Sequence, residues 1–165
     1  MAIIDKQNDL FRLKENDLVL KISLQNLIME SRRLESSIYN EEYVINGTPQ
    51  RGINWIGELG NIKAILVKSM EKNPFKDGYK DSARNFYDYH FQKIGSLSGL
   101  ALENNRFLAE QKDAVEKYPI FLLKESDSKN WIVEGIFDVV KIYEDSPTPY
   151  CLLKKRLPVY APSLS

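Results

Sequence analysis

The stretch Trp131–Lys141, WIVEGIFDVVK, decides the fold. It lies inside a longer β-type run, Asn130 to Tyr143, and two similar runs flank it: Tyr118–Lys124 (YPIFLLK) and Tyr150–Arg156 (YCLLKKR). Polar turn clusters, ESDSK at 125–129 and EDSPTP at 144–149, separate the three. β-branched and aromatic residues at this density, punctuated by Ser, Asp and Pro, read as an antiparallel meander.

Upstream, Phe86 to Lys93 alternates, with Tyr87, Tyr89 and Phe91 on one face and Phe86, Asp88 and His90 on the other. A period of two is that of a half-buried strand, with a helix over 82–94 as the competing reading. Ile62 to Val67 has the length of a buried strand, Gly52–Ile56 is one helical turn or a strand end, and Asp17–Lys21 is a short strand. Leu24, Leu27, Ile28, Leu34 and Ile38 repeat at a helical period, so 23–39 is an amphipathic helix with Ser23 as its N-cap. Asn46-Gly-Thr-Pro49, Asn73-Pro74, Asp77-Gly78 and Gly95–Gly99 mark turns. Leu100–Lys117 fits either helix or loop, and the first fifteen or so residues read as a loosely held arm. One helix plus six or seven strands gives an α+β fold, mostly antiparallel, built around an open β-barrel.

At 165 residues, with 43% hydrophobic and 28% charged content, the chain fits one soluble domain over 1–157. Pro158 and Pro162 place 158–165 in an extended tail or linker start. No apolar run reaches the roughly 20 residues that span a bilayer, and the first residues lack a signal-peptide layout. A single cysteine supports no disulfide framework, and a cytoplasmic location without membrane partners is the expectation.

Net charge is zero, but it is unevenly spread. Residues 63–93 hold seven cations against four anions, and 150–165 hold three against none, whereas 1–62 and 94–149 are acidic (seven against nine, six against ten). If the two basic stretches share one face, they form the electrostatic footprint of a DNA-binding module; the alternative is a solvated mixed surface.

The same inventory narrows the chemistry. One His and one Cys furnish no zinc site, and no metal or cofactor is expected. His90 has no nucleophile signature beside it. Glu110-Gln-Lys112 spells the Glu-x-Lys of magnesium nucleases, with Asp88 or Glu103 as the upstream acid, which keeps a small nuclease as an alternative. That motif rides on a hydrophobic strand, and 109–115 does not read as one. Around Asp77-Gly-Tyr-Lys-Asp81, Gly78 permits a tight backbone and Tyr79 offers a stacking face, while Lys72, Lys76, Lys80 and Arg84 suit phosphates; an ordinary turn is the plainer reading. Trp55 and Trp131 read as core.

The succession QRGINWI (50–56), KAILVK (63–68), GYKD (78–81) and YDYHF (87–91), ending in YPIFL (118–122), WIVEG (131–135) and FDVV (137–140), resembles the DNA-binding domains attached to bacterial restriction enzymes. These are relatives of the plant B-three pseudobarrel, and SET-and-RING-associated and PUA-like modified-base readers share the layout. The resemblance covers about residues 45–157 and leaves the helix at 23–39 unplaced. It implies a pseudobarrel that reads double-stranded DNA, by groove contacts or by taking up a flipped base, while a nuclease or NTPase region on the same or a partner chain acts. On that basis Lys72, Lys76, Lys80, Arg84, Lys154, Lys155 and Arg156 meet phosphates. Arg51, Asn54, Asn105 and Arg106 supply base contacts, with Tyr79, Tyr87 and His90 beside them. A protein–protein adaptor using the 23–39 helix is the remaining alternative.

Overall fold

The computed structural model describes residues 1–4, 7–33, 45–46, 52–58, 61–70, 77–91, 93–94 and 97–156. In chain order the elements are α1 (Gln7–Leu10), β1 (Leu18–Leu20), α2 (Lys21–Arg33), β2 (Ile45–Asn46), β3 (Ile53–Glu58), β4 (Asn61–Ser69), β5 (Gly78–Tyr79), β6 (Phe86–His90), β7 (Lys93–Ile94), β8 (Leu97–Ser98), α3 (Glu103–Ala109), β9 (Ile120–Glu125), β10 (Asn130–Tyr143) and β11 (Tyr150–Lys155). Short 3-10 turns at Gly99–Ala101 and Glu110–Lys112 flank α3.

β9, β10 and β11 form the expected antiparallel meander. The main sheet runs β2-β3-β4-β9-β10-β11-β6-β5, with β1 added to β10. β4 and β9 pair in parallel and the other neighbours antiparallel, so the sheet is mixed. It is an α+β, mostly β fold whose sheet does not close on itself.

The central stretches of β4 (Ala64–Val67) and β9 (Ile120–Leu123) are apolar because both of their faces are covered. Ala64, Leu66, Phe121 and Leu123 face one core, shared with Ile4, Leu10, Leu13, Val19, Leu24, Leu27, Ile28, Trp131 and Val133. Ile65, Val67, Ile120 and Leu122 face the other, with Tyr87, Tyr89, Phe91, Leu108, Phe137, Val139, Cys151 and Leu153. Trp131 is thus a core residue, whereas Trp55 is half-buried against Phe107.

Several expectations need correction. The first residues are not a loose arm. Ile4, Leu10 and Leu13 are buried under the sheet, and the Ala2 N–H donates to the Leu18 carbonyl. α2 begins at Lys21, not Ser23, and the Lys21 N–H, one of the four donors of the first turn without an intrahelical partner, donates to the Lys129 carbonyl. Gly52–Ile56 leads into β3, and Gly78–Tyr79 is a strand paired with Asp88 and Tyr87. The alternation over 86–91 is the expected strand rather than the competing helix, and Leu100–Lys117 holds α3 and the 3-10 turns. Glu110–Lys112 is one of those turns, with Gln111 buried and accepting from the Tyr118 N–H (3.1 Å). The strand that a Glu-x-Lys nuclease centre requires is therefore not there. The end of the 23–39 helix, Gly47–Pro49, Asn73-Pro74 and the tail at 158–165 lie outside the described residues.

Candidate nucleic-acid interface

One edge of β10 is shared end to end by two strands. β1 pairs with Asn130–Ile132, and β11 with Phe137–Tyr143. Backbone bonds extend each pairing inward: Asn16 N–H to the Val133 carbonyl on one side, Arg156 N–H to the Ile136 carbonyl on the other. Glu134 and Gly135 sit in the seam. Toward β9 the register slips here, Val133 pairing with Leu123 and Gly135 with Leu122, so Glu134 is the extra residue of a β-bulge. Gly135 has φ of +132°, a conformation that excludes most side chains.

The bulge turns the Glu134 carboxylate inward, where its residue is only 3% exposed. Its Oε2 accepts the Tyr79 hydroxyl at 2.6 Å and an Arg84 Nη2 hydrogen at 2.7 Å. The Arg84 guanidinium also stands 4.8 Å from the centre of the Tyr79 ring. Lys155 supplies a second cation, its Nζ 5.3 Å from the same ring and ion-paired with Glu15 from the other side of the seam. Burial and the Glu134 carboxylate push the Tyr79 hydroxyl far above its ordinary pKa, so it stays a donor. The hydrogen bond to Glu134 raises Arg84 as well.

The turn from β5 to β6 delivers these groups. Asp81 Oδ1 accepts the N–H groups of Asn85 (3.1 Å) and Phe86 (2.9 Å), and Arg84 takes a left-handed φ of +59°. The same turn brings the two basic stretches together. The Lys80 N–H donates to the Phe86 carbonyl, the Lys155 N–H donates to the Asn85 carbonyl, and Lys154 pairs with Phe86 in register. Lys80 and Lys154 are exposed on this rim. Lys80 lies 3.5 Å from Asp88, whose pKa burial raises.

On the outer face of β6, β11 and β10, His90, Tyr150 and Tyr143 form a ring ladder with centroid spacings of 4.9 and 4.5 Å. Behind it, Asp77 accepts the His90 N–H and the Ser69 hydroxyl (2.8 Å each) and pairs with His90 Nδ1, while the Tyr87 hydroxyl donates to Ser69. Burial raises the Asp77 pKa despite these donors.

The candidate residues therefore separate. Tyr79, Lys80, Arg84, Lys154 and Lys155 meet at the seam and its rim. Arg156 is tied to Asp138 at 2.6 Å. His90 is held by Asp77. Arg106 is exposed on α3, donating to the Leu100 carbonyl. Asn54, Tyr87 and Asn105 are fully buried, Asn105 donating to the Gly99 carbonyl, which takes them off any surface that a groove meets. Arg51, Lys72 and Lys76 lie outside the described residues. Glu134 and Glu15 were not singled out in the sequence, and Asp77 and Asp81 appeared there only as the ends of the turn around Gly78. The detectable signal for Glu134 was a charge followed by Gly inside an apolar strand, the mark of a bulge. Among the described residues no three His, Cys, Asp or Glu side chains assemble as a metal site, and no helix is long and apolar enough to cross a membrane.

The fold is similar to that of an SRA domain and to parts of two restriction endonucleases. The SRA domain of SUVH5, solved with methylated CHH DNA, is similar at a TM-score of 0.50 and 19% identity, over 71% of this chain and 80% of that one. AspBHI, a DNA modification-dependent restriction endonuclease, gives 0.52 at 13% identity, over 73% and 66%. The Type IV phosphorothioation-dependent restriction endonuclease ScoMcrA gives 0.52 at 15% identity, over 91% of this chain but 29% of its own length. No protein-family model and no curated protein matches the sequence.

Proposed function

We propose that this chain is a DNA-recognition domain of a restriction or defence system, reading a short duplex sequence or a modified base. The observation that carries the reading is the seam: a buried acceptor and an aromatic ring, Glu134 and Tyr79, beside a rim bearing Lys80 and Lys154. Exposed lysines suit phosphates, which position a duplex without reading it. A ring beside a buried carboxylate suits a base taken out of the stack, which needs a stacking face and a partner for its donor edge. The shared fold supports this, since methylated DNA, modified DNA and phosphorothioation are named for the three similar proteins.

In this reading residues 1–157 act as one pseudobarrel domain, and 158–165 lead toward another region. Lys72, Lys76 and Arg156 add to the phosphate contacts, and Arg51 and Arg106 reach bases. The domain itself does not cut; a nuclease or NTPase region on the same or a partner chain does so, in the cytoplasm. Selection from a randomised duplex library, with and without cytosine methylation, tests the reading. Enrichment of a short motif or of the methylated pool is expected. Equal recovery of all sequences in both pools would overturn it.

A further inference from the structure

We infer that Arg84 sets specificity at this site by occupying it: the guanidinium holds the Tyr79 face and the Glu134 oxygen until a base displaces it. The inference rests on the DNA-recognition reading and adds the free-state competitor to it.

A guanidinium is flat and donates hydrogen bonds from its edge, as a nucleobase edge can. Arg84 lies near the Tyr79 ring while donating to Glu134, the two contacts an extruded base would need. Of the two cations at the ring among the described residues, Arg84 is the movable one. Its side chain is 50% exposed, whereas that of Lys155 is 7% exposed and tied to Glu15. The main chain beneath Arg84 is fixed independently by Asp81, so the side chain can leave while the turn stays folded.

Two penalties make the exchange selective. Glu134 is buried, and an uncompensated buried carboxylate is costly, so whatever replaces Arg84 must donate to the same oxygen. The released guanidinium needs a partner of its own, and a neighbouring DNA phosphate supplies one. A group that stacks without donating, or donates without a phosphate nearby, meets only half of this requirement.

The left-handed φ of Arg84 provides the test variant, because glycine accepts that conformation and Arg84→Gly removes the side chain without straining the turn. Affinities are measured for two duplexes, one fully paired and one with a central mismatched cytosine, whose extrusion costs less. The unaltered protein binds both. Arg84→Gly weakens binding to the paired duplex a few-fold, from the lost phosphate contact. It improves binding to the mismatched duplex relative to the paired one by about ten-fold, the size of one charge-assisted hydrogen bond. An equal change on both duplexes would make Arg84 a plain phosphate contact and end the proposal, leaving the DNA reading intact. Binding of neither duplex by the unaltered protein would remove that reading and the proposal with it. In the unaltered protein, the Arg84 Nε–Hε resonance should move on adding the mismatched duplex; a resonance that stays at its free position while the site fills also overturns the proposal.

Discussion

Replacing Glu134 in two ways separates its hydrogen bonds from its charge. Glu134→Gln keeps the volume and an amide oxygen for the Tyr79 hydroxyl, but turns the Arg84 contact from charge-assisted to neutral. Hydrogen bonds to charged groups contribute about 1.5–3 kcal/mol and neutral ones about 0.5–1.5. Arg84 is half exposed, so solvent screening reduces that difference to about 0.5–1 kcal/mol. Glu134→Leu leaves the Tyr79 hydroxyl without its acceptor, adding roughly 1–3 kcal/mol for the orphaned donor. The gap between the two variants is then about 2 kcal/mol, or roughly 4–8 °C in Tm for a domain of this size. Scanning calorimetry at pH 7 measures it. In 1 M salt the unaltered protein and Glu134→Gln should converge, while Glu134→Leu stays lower. Equal melting temperatures for the Gln and Leu variants would refute the claim that Glu134 is the acceptor organising the seam.

Three further outcomes concern Lys68, Gly135 and Tyr87. Burial lowers the Lys68 pKa from 10.5 to about 8. Between those values unfolded Lys68 binds more protons than folded Lys68, so its contribution to stability rises with pH from about 8 to 10.5, opposed above about 9 by the buried Cys151 thiol and above about 10 by the buried tyrosines, and it is read as the difference from Lys68→Met. The full difference, 10.5 − 8, corresponds to about 3 kcal/mol, and urea titrations should show Lys68→Met without that rise. Gly135→Ala meets only ordinary contact with Lys155 Cε at 3.6 Å, but its φ of +132° imposes strain of roughly 1–3 kcal/mol, visible as a lowered Tm. Tyr87→Phe removes the 2.9 Å bond to Ser69 and should cost about 1 kcal/mol in denaturant, with DNA binding unchanged because the ring is buried.

The parts of the fold that could be read from the sequence were those whose cause is local. The meander at 118–156 and the alternation at 86–91 carry their period and their turn residues with them. Lys80 and Lys154 share a rim because Phe86 pairs with both strands, and the charge distribution alone suggested such a face. What stayed hidden depends on long-range packing. Nothing local says that Ile4 and Leu10 are covered, since the core they join includes Phe121, Leu123, Trp131 and Val133, more than a hundred residues away in sequence. Asn54, Tyr87 and Asn105 have types suited to DNA contact, yet their side chains point into the protein. The orientation of Glu134 depends on the bulge against β9, a slip of register between two strands that the local pattern does not fix.

Affinity for a duplex as a function of salt, measured for the unaltered protein and for the double variant Lys80→Ala/Lys154→Ala, tests the central claim most directly. With about four to six phosphates engaged, log affinity should fall against log salt with a slope of about −4 to −5, and the double variant should lose about 2 from that slope. A flat salt dependence, or a double variant that follows the unaltered curve, would contradict the assignment of this rim as the surface that holds DNA.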